Sequence, residues 1–205
     1  MSKKIDVRVA RGDITKLKVD CIVNAANTEL SEGSGVCGAI FDAAGNKNMA
    51  NACKAIGGCK TGEAVITPGF KLPAKHVVHA VGPIYHDGKG GEAKLLKSAY
   101  LEALRLGEAS GARSIAFPLL STGIYGFPRA EAIDIALDAI NQYQTKSKNP
   151  IQNITICAFS DRDEALVQVA LDYRNGKIKK MPRAGWDRFV SFGDEITVYD
   201  SKHTI

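Results

Sequence analysis

Two short glycine-containing stretches are the parts of this sequence best suited to chemistry: Gly33-Ser34-Gly35-Val36-Cys37-Gly38 and Ser121-Thr122-Gly123-Ile124-Tyr125-Gly126. Glycine lets the backbone approach another group closely and adopt positive φ. A helix that begins directly after such a loop adds unpaired N–H groups and the positive end of its dipole. Together these features suit an anion that needs several converging donors, such as a diphosphate. A single loop of this kind more often only tightens a strand–helix corner. Two in one small domain shift the balance toward anion binding. Neither stretch has the form G-x-x-x-x-G-K-[ST] of an ATPase phosphate loop. Gly33 to Gly38 does read G-x-G-x-x-G, yet it sits about nine residues past the preceding expected strand. That offset disfavours a dinucleotide-binding oxidoreductase, whose motif follows its strand directly.

Other reactive side chains are fewer. Asn27, judged by residue type alone, reads as a turn residue that satisfies its own backbone. Cys37 is a candidate nucleophile: a helix N-terminus would lower its pKa, whereas a bound diphosphate would raise it. The competing reading is a small apolar residue at a tight helix start. Cys53 and Cys59 are separated by five residues, outside the usual two-to-four spacing of zinc ligands, and residues 28–36 hold no Cys or His. No metal is expected.

These loops need elements to hold them. Residues 5–10 alternate as a half-buried strand, Arg11 to Thr15 read as a turn, and residues 19–23 read as a more buried strand. Helices are expected over 39–44 and 46–56, and strands over 63–67 and 76–81. Residues 92–109 carry Leu95, Leu96, Tyr100, Leu101 and Leu104 at helical spacing. A strand over 113–117 precedes the second glycine-containing loop, and Pro128 suits the start of a helix over 129–143. A strand over 153–159 and a helix over 161–173 complete the series. This alternation predicts an α/β fold with a largely parallel or mixed sheet and helices on both faces. In such sheets ligands bind beyond the carboxyl ends of strands. Both loops, and Asn24 to Asn27, fall at such ends.

Composition sets the outer limits. The chain has 205 residues, 45% apolar and 24% charged, which fits one soluble domain with a substantial core. The net charge of +5 would help an anionic ligand approach but is too slight for a nucleic-acid signature. An RNA-binding surface would also need interleaved basic and aromatic residues that are not evident. No apolar run suits a membrane span, and the start, Met1 to Asp6, lacks the apolar core of a signal peptide. Five cysteines at irregular spacing fit a reducing compartment. A cytoplasmic location without membrane or nucleic-acid partners is therefore expected.

Several stretches together closely resemble the macro domain family of ADP-ribose-binding modules. They are Gly12 to Thr15, Val19 to Asn27, Gly33 to Ile40, Thr61 to Ala64, Leu72 to Lys75, Val81 to Pro83, Ile115 to Pro128 and Cys157 to Asp161. The resemblance covers roughly residues 5–173. It implies a three-layer α/β/α mixed sheet over residues 1–175, with residues 176–205 as an extension. Phe189 to Phe192 and Ile196 to Tyr199 in that extension are compatible with a hairpin.

The resemblance also implies site roles. Asp13 would accept from the adenine amino group and Phe159 would stack on the ring, although residue type alone makes Phe159 a core residue. Ile14 and Asn24 would border the ligand. Gly33, Ser34, Gly35, Val36 and Gly38, with Ser121, Thr122, Gly123, Ile124, Tyr125 and Gly126, would surround the diphosphate. Asn27 would reach the distal ribose, with Phe127 packed near it. Hydrolytic members commonly carry G-G-G-V-D-G-x-I-H in the first loop. Here Cys37 stands at the Asp position and Phe41 at the His position. Asn27 and Cys37 are the catalytic candidates, ADP-ribose is the ligand, and no cofactor is required. The implied activity is hydrolysis of ADP-ribose esters, on mono-ADP-ribosylated protein or O-acetyl-ADP-ribose. The alternative is a non-catalytic reader of ADP-ribose or ADP-ribosylated protein.

Overall fold

The structure, a computed structural model, describes residues 4–148 and 150–179. Six strands form one sheet: β1 (Asp6–Arg11), β2 (Cys21–Ala25), β3 (Ala64–Pro68), β4 (His76–Ala80), β5 (Ser114–Phe117) and β6 (Asn153–Ala158). Their spatial order is β1-β6-β5-β2-β4-β3. All neighbours run parallel except β3, which pairs antiparallel with β4 at one edge. The helices are α1 (Val36–Ala44), α2 (Asn46–Ile56), α3 (Glu92–Ala109), α4 (Arg129–Lys146) and α5 (Asp161–Arg174).

Side-chain alternation along the strands divides the core into two layers, as the pleat requires. Cys21 and Val23 of β2, Ile115 and Phe117 of β5, and Ile154 and Ile156 of β6 face the larger cluster. That layer is closed by the apolar faces of α3, α4 and α5, including Tyr100, Leu104, Ile133, Ile140 and Leu166. Ile22, Val77, Ala116 and Cys157 face the other way, toward Ile40 and Phe41 of α1 and Met49 and Cys53 of α2. The architecture is the expected three-layer α/β/α arrangement around a mixed sheet.

Most expected elements lie within two or three residues of their sequence-based bounds. One displacement matters: α1 starts at Val36 rather than 39, because Gly35 occupies its N-cap. The residues after Gly35 therefore belong to the helix's first turn. Ile14–Lys16 is a single 3-10 turn that overlaps the turn expected over Arg11 to Thr15, capped by Asp13. No helix among the described residues is long and apolar enough to cross a membrane. The expected hairpin over residues 189–199 lies outside the described residues.

The amino ends of the strands are tied by Asp20. Its carboxylate accepts from Lys75 Nζ at 3.0 Å, Arg113 N at 3.0 Å, Ser114 N at 3.1 Å and Ser114 Oγ at 2.9 Å. Burial opposes the charge, but the bonds from Lys75, Arg113 and Ser114 outweigh it and hold the carboxyl at about 2. A folded pKa below the unfolded value stabilises the fold above pH ~4, and the benefit disappears as the carboxyl protonates toward pH ~2. We expect the wild type to lose roughly 1–2 kcal/mol more than Asp20→Asn across that window, after allowance for the exposed Lys75. Urea denaturation of both proteins at pH 2–6 measures the difference. Parallel stability–pH curves would remove Asp20 from this role.

Candidate functional site

Four adjacent parallel strands, β1, β6, β5 and β2, end on the same side of the sheet. The segments that follow them line one cavity of about 860 Å3. Asp13 follows β1, Phe159 follows β6, Ser121 to Tyr125 follow β5, and Asn27 and Gly33 to Cys37 follow β2. The two glycine-containing loops, distant in sequence, therefore face one space. Its position beyond the strand carboxyl ends is the usual place for a ligand in an open α/β sheet. Its volume is that of an ordinary small-molecule site.

The first loop delivers donors through α1. The N-cap Gly35 has φ +62° and no side chain caps the helix. The opening N–H groups of α1 have no intrahelical partner. Just before the helix, the N–H groups of Ser34 and Gly35 meet no acceptor among the described residues. Gly38 is required by packing: a Cβ there would stand 2.7 Å from the Gly33 carbonyl oxygen.

The second loop is a tight turn. Gly126 N donates to Gly123 O at 3.0 Å and Phe127 N to Ser121 O at 2.9 Å. Gly123, Ile124 and Tyr125 keep N–H groups without acceptors among the described residues. Ser121 holds φ +65°, and its buried Oγ has no hydrogen-bond partner among those residues. Tyr100 of α3 supports this loop from below: its phenol accepts from Leu120 N at 3.1 Å and donates to Pro118 O at 3.4 Å.

At the β1–β6 end, Asp13 Oδ1 accepts from Thr15 Oγ1 at 2.6 Å and Thr15 N at 2.9 Å. The Thr15 hydroxyl holds this carboxyl below the usual carboxylate range. Oδ2 remains for another donor. Phe159 is 93% exposed, an unusual state for an aromatic side chain on a cavity wall. Beside it, Arg11 pairs with Asp161, and Arg129 Nε meets Asp163 Oδ1 at 2.8 Å. Cys157, under the same end, is pushed up to about 11 by burial and by the charge of Asp13.

At the β2 end, the Asn27 amide is engaged with Ser31. Its Nδ2 donates to Ser31 O at 3.1 Å and Ser31 Oγ at 3.0 Å, and its Oδ1 accepts from Ser31 N at 2.9 Å. Cys37 is 4% exposed and lines the cavity. Its Sγ lies 3.5 Å from Asn24 Nδ2 and 3.8 Å from Ser31 O. Asn24 itself is buried behind Cys37, with Nδ2 3.1 Å from His79 Nδ1.

A macro domain family model matches residues 23–136. A macro domain-containing protein of Chlorobaculum tepidum is 47% identical over 171 residues, 83% of this chain and 98% of that protein. The chain belongs to the macro domain family. An O-acetyl-ADP-ribose deacetylase of Escherichia fergusonii is 48% identical over 158 residues, 75% of this chain and 89% of that enzyme. Among solved structures, the Oceanobacillus iheyensis macrodomain with ADP aligns with a TM-score of 0.77 at 39% identity, covering 83% of this chain and 92% of that one. The Trypanosoma brucei macrodomain in complex with ADP-ribose aligns at 0.74 and 34% identity, covering 80% and 68%.

Most residues expected at the site line this macro domain's cavity: Asp13, Ile14, Asn27, Gly33 to Cys37, Ser121 to Tyr125 and Phe159. Four expected residues do not: Asn24, Gly38, Gly126 and Phe127. Gly38 and Gly126 shape the loops from behind. Phe127 is 2% exposed and turns into the larger core cluster, its ring centroid 4.9 Å from that of Tyr85. Phe41, at the family's His position, is likewise buried, edge-on to His79. Sequence reasoning missed Arg11, Gly82, Arg129, Cys157 and Asp163, all of which line the cavity. Gly82 and Cys157 lie inside the stretches that carry the resemblance. The pairing of Arg129 with Asp163 has no local sequence signal. Among the described residues no three His, Cys, Asp or Glu side chains are grouped to hold a metal.

Gly38→Ala should destabilise the fold by ~1–3 kcal/mol, the usual cost of overpacking, because backbone rather than a flexible side chain must yield. Denaturant midpoints of the two proteins check this. An unchanged midpoint would mean that the loop does not press on α1.

Proposed function

We propose that this macro domain binds ADP-ribose in the cavity and hydrolyses ADP-ribose esters, those of mono-ADP-ribosylated carboxylates or O-acetyl-ADP-ribose. The observation that carries the reading is that two separate loops, with backbone N–H groups that meet no acceptor among the described residues, line one cavity. A diphosphate is the anion that fills such a cradle from both sides. The adenine then falls at the β1–β6 end, stacked on Phe159, with Asp13 Oδ2 accepting from its amino group. The distal ribose falls at the β2 end, beside Asn27 and Cys37. The neighbours named for ADP and ADP-ribose, and the relative named as a deacetylase, support the same ligand class.

In this reading the residues act by placement. The loops hold the diphosphate, Asn27 holds the ribose, and a water attacks the ester, releasing ADP-ribose and the carboxylate. An acyl linkage at the anomeric carbon is labile, so orientation supplies much of the acceleration. Stabilisation of developing charge by the fixed amides adds to it. A second reading, a reader without turnover, is favoured by two specific features. Residue 37 is a thiol and the Asn27 amide is already bonded to Ser31.

Incubation with a glutamate-linked mono-ADP-ribosylated protein should release free ADP-ribose. Tight binding without release would select the reader. Calorimetry should show Asp13→Ala weakening ADP-ribose binding by ~1–3 kcal/mol, the scale of a hydrogen bond to a charged group. Equal affinity would take Asp13 out of the site. Asn27→Ala should lower turnover more than affinity; the reverse pattern would make Asn27 a binding residue only.

A further inference from the structure

A line of buried polar groups runs behind the first loop, from the sheet edge to Asn27. Thr67 on β3 is 3% exposed, His79 on β4 is 0% exposed and Asn24 on β2 is 1% exposed. Thr67 Oγ1 lies 2.9 Å from His79 Nε2 and donates to Met49 Sδ at 3.4 Å. His79 Nδ1 lies 3.1 Å from Asn24 Nδ2, which also donates to Cys37 Sγ at 3.5 Å. Cys37 Sγ donates to Ser31 O at 3.8 Å, and that carbonyl also accepts from Asn27 Nδ2 at 3.1 Å.

We infer that Asn24 and His79 are positioning residues for Asn27, acting through the Cys37 thiol and the Ser31 carbonyl. This rests on the reading of the cleft as an ADP-ribosyl ester site with Asn27 at the ribose. The hydrogens available fix a direction. His79 is neutral at physiological pH, because burial pulls its pKa down to about 4, so its ring carries one N–H. Asn24 Nδ2 has only hydrogens to offer, so His79 Nδ1 accepts and the single ring N–H sits on Nε2. Thr67 Oγ1 takes that N–H and turns its own hydrogen to Met49 Sδ, and Cys53 Sγ lies 3.9 Å from the same Nε2. The second Asn24 hydrogen goes to Cys37, whose own hydrogen is free for Ser31.

This order leaves Asn24 Oδ1 unsatisfied. It is buried and has no partner among the described residues. Buried polar atoms are seldom left so. Turning the amide over would place an acceptor against His79 and Cys37. His79 would then have to carry its hydrogen on Nδ1 and take the Thr67 hydrogen on Nε2. The thiol hydrogen would swing from Ser31 to Asn24, and every link in the line would reverse. The arrangement as placed reaches the Ser31–Asn27 turn at the cost of one buried oxygen without a partner among the described residues. It also gives Cys37 a role other than attack: its hydrogen and a lone pair are both committed to positioning.

Long-range proton–nitrogen correlation spectra of the 15N-labelled full chain test the inference. We expect His79 protonated on Nε2 and bare on Nδ1. Thr67 lies outside the cavity wall, and Thr67→Val removes the acceptor of that N–H. The Nδ1-protonated form should then become populated and the Asn27 side-chain amide signals should move. Thr67→Ser should restore both. In the same series, kcat for ADP-ribose release should fall about tenfold in Thr67→Val with KM nearly unchanged, as expected for misplacement of a group at the chemistry. An Nδ1-protonated His79 in the wild type overturns the inference. So do unmoved Asn27 signals in a folded Thr67→Val. Should that variant fail to fold, the wild-type tautomer decides alone. The spectra need no substrate, so absence of ADP-ribose release by the wild type counts against the proposed activity and not against the positioning line.

Discussion

The organising constraint of this molecule is that unpaired backbone N–H groups must be brought to one point outside the sheet and kept there. Ser34, Gly35, Gly123 and Ile124 are exposed and Tyr125 is half-buried, so solvent meets these N–H groups until a ligand replaces it. Here the donors come from two loops that follow β2 and β5, neighbours in the sheet. The parallel pairing of those strands puts both loops at the same end, and the flanking β1 and β6 supply the walls that extend the cleft. Everything else in the site elaborates that alignment.

The two ends of the sheet are treated differently. At the amino ends, Asp20 gathers donors from the segments before β4 and β5, and its charge is satisfied within the protein. At the carboxyl ends, the N–H groups of Ser34, Gly35, Gly123, Ile124 and Tyr125 meet no acceptor among the described residues. One end is closed by its own hydrogen bonds, whereas the other keeps N–H groups open to solvent or a ligand. The support beneath the open end comes from behind the loops: the Tyr100 phenol under the second, and the Asn24–His79 line under the first. Both supports are buried, where a hydrogen bond gains strength and a lost partner costs most.

The alternation of strands and helices was legible because it is written in local periodicity. The 92–109 pattern became α3 with the same bounds, and the series predicted a largely parallel or mixed sheet with helices on both faces. Loop positions were legible for the same reason, since Gly and Pro punctuate a chain locally. The start of α1 was less so: Gly35 and Gly38 both suit a helix end by residue type, and only the packing of Gly38 against the Gly33 carbonyl separates their roles. Phe127 and Phe159 show the same limit in opposite directions. Both are aromatic residues at the end of an element, yet one is buried in the core and the other stands in solvent.

By itself the sequence determined the class of fold, the two anion-suited loops and, through its resemblance to a family, most of the residues that line the cleft. These depend on residue type and spacing within short windows. Only the tertiary structure decided that Asn24 hides behind Cys37, that Arg129 and Asp163 meet on the rim, and that Asp6 pairs alongside Asn153 so that Asp13 and Phe159 share a wall. The physical reason is that each depends on which strands become neighbours and which face a side chain takes. Those choices are made by burial and pairing across the whole chain, and no short window of residues contains them.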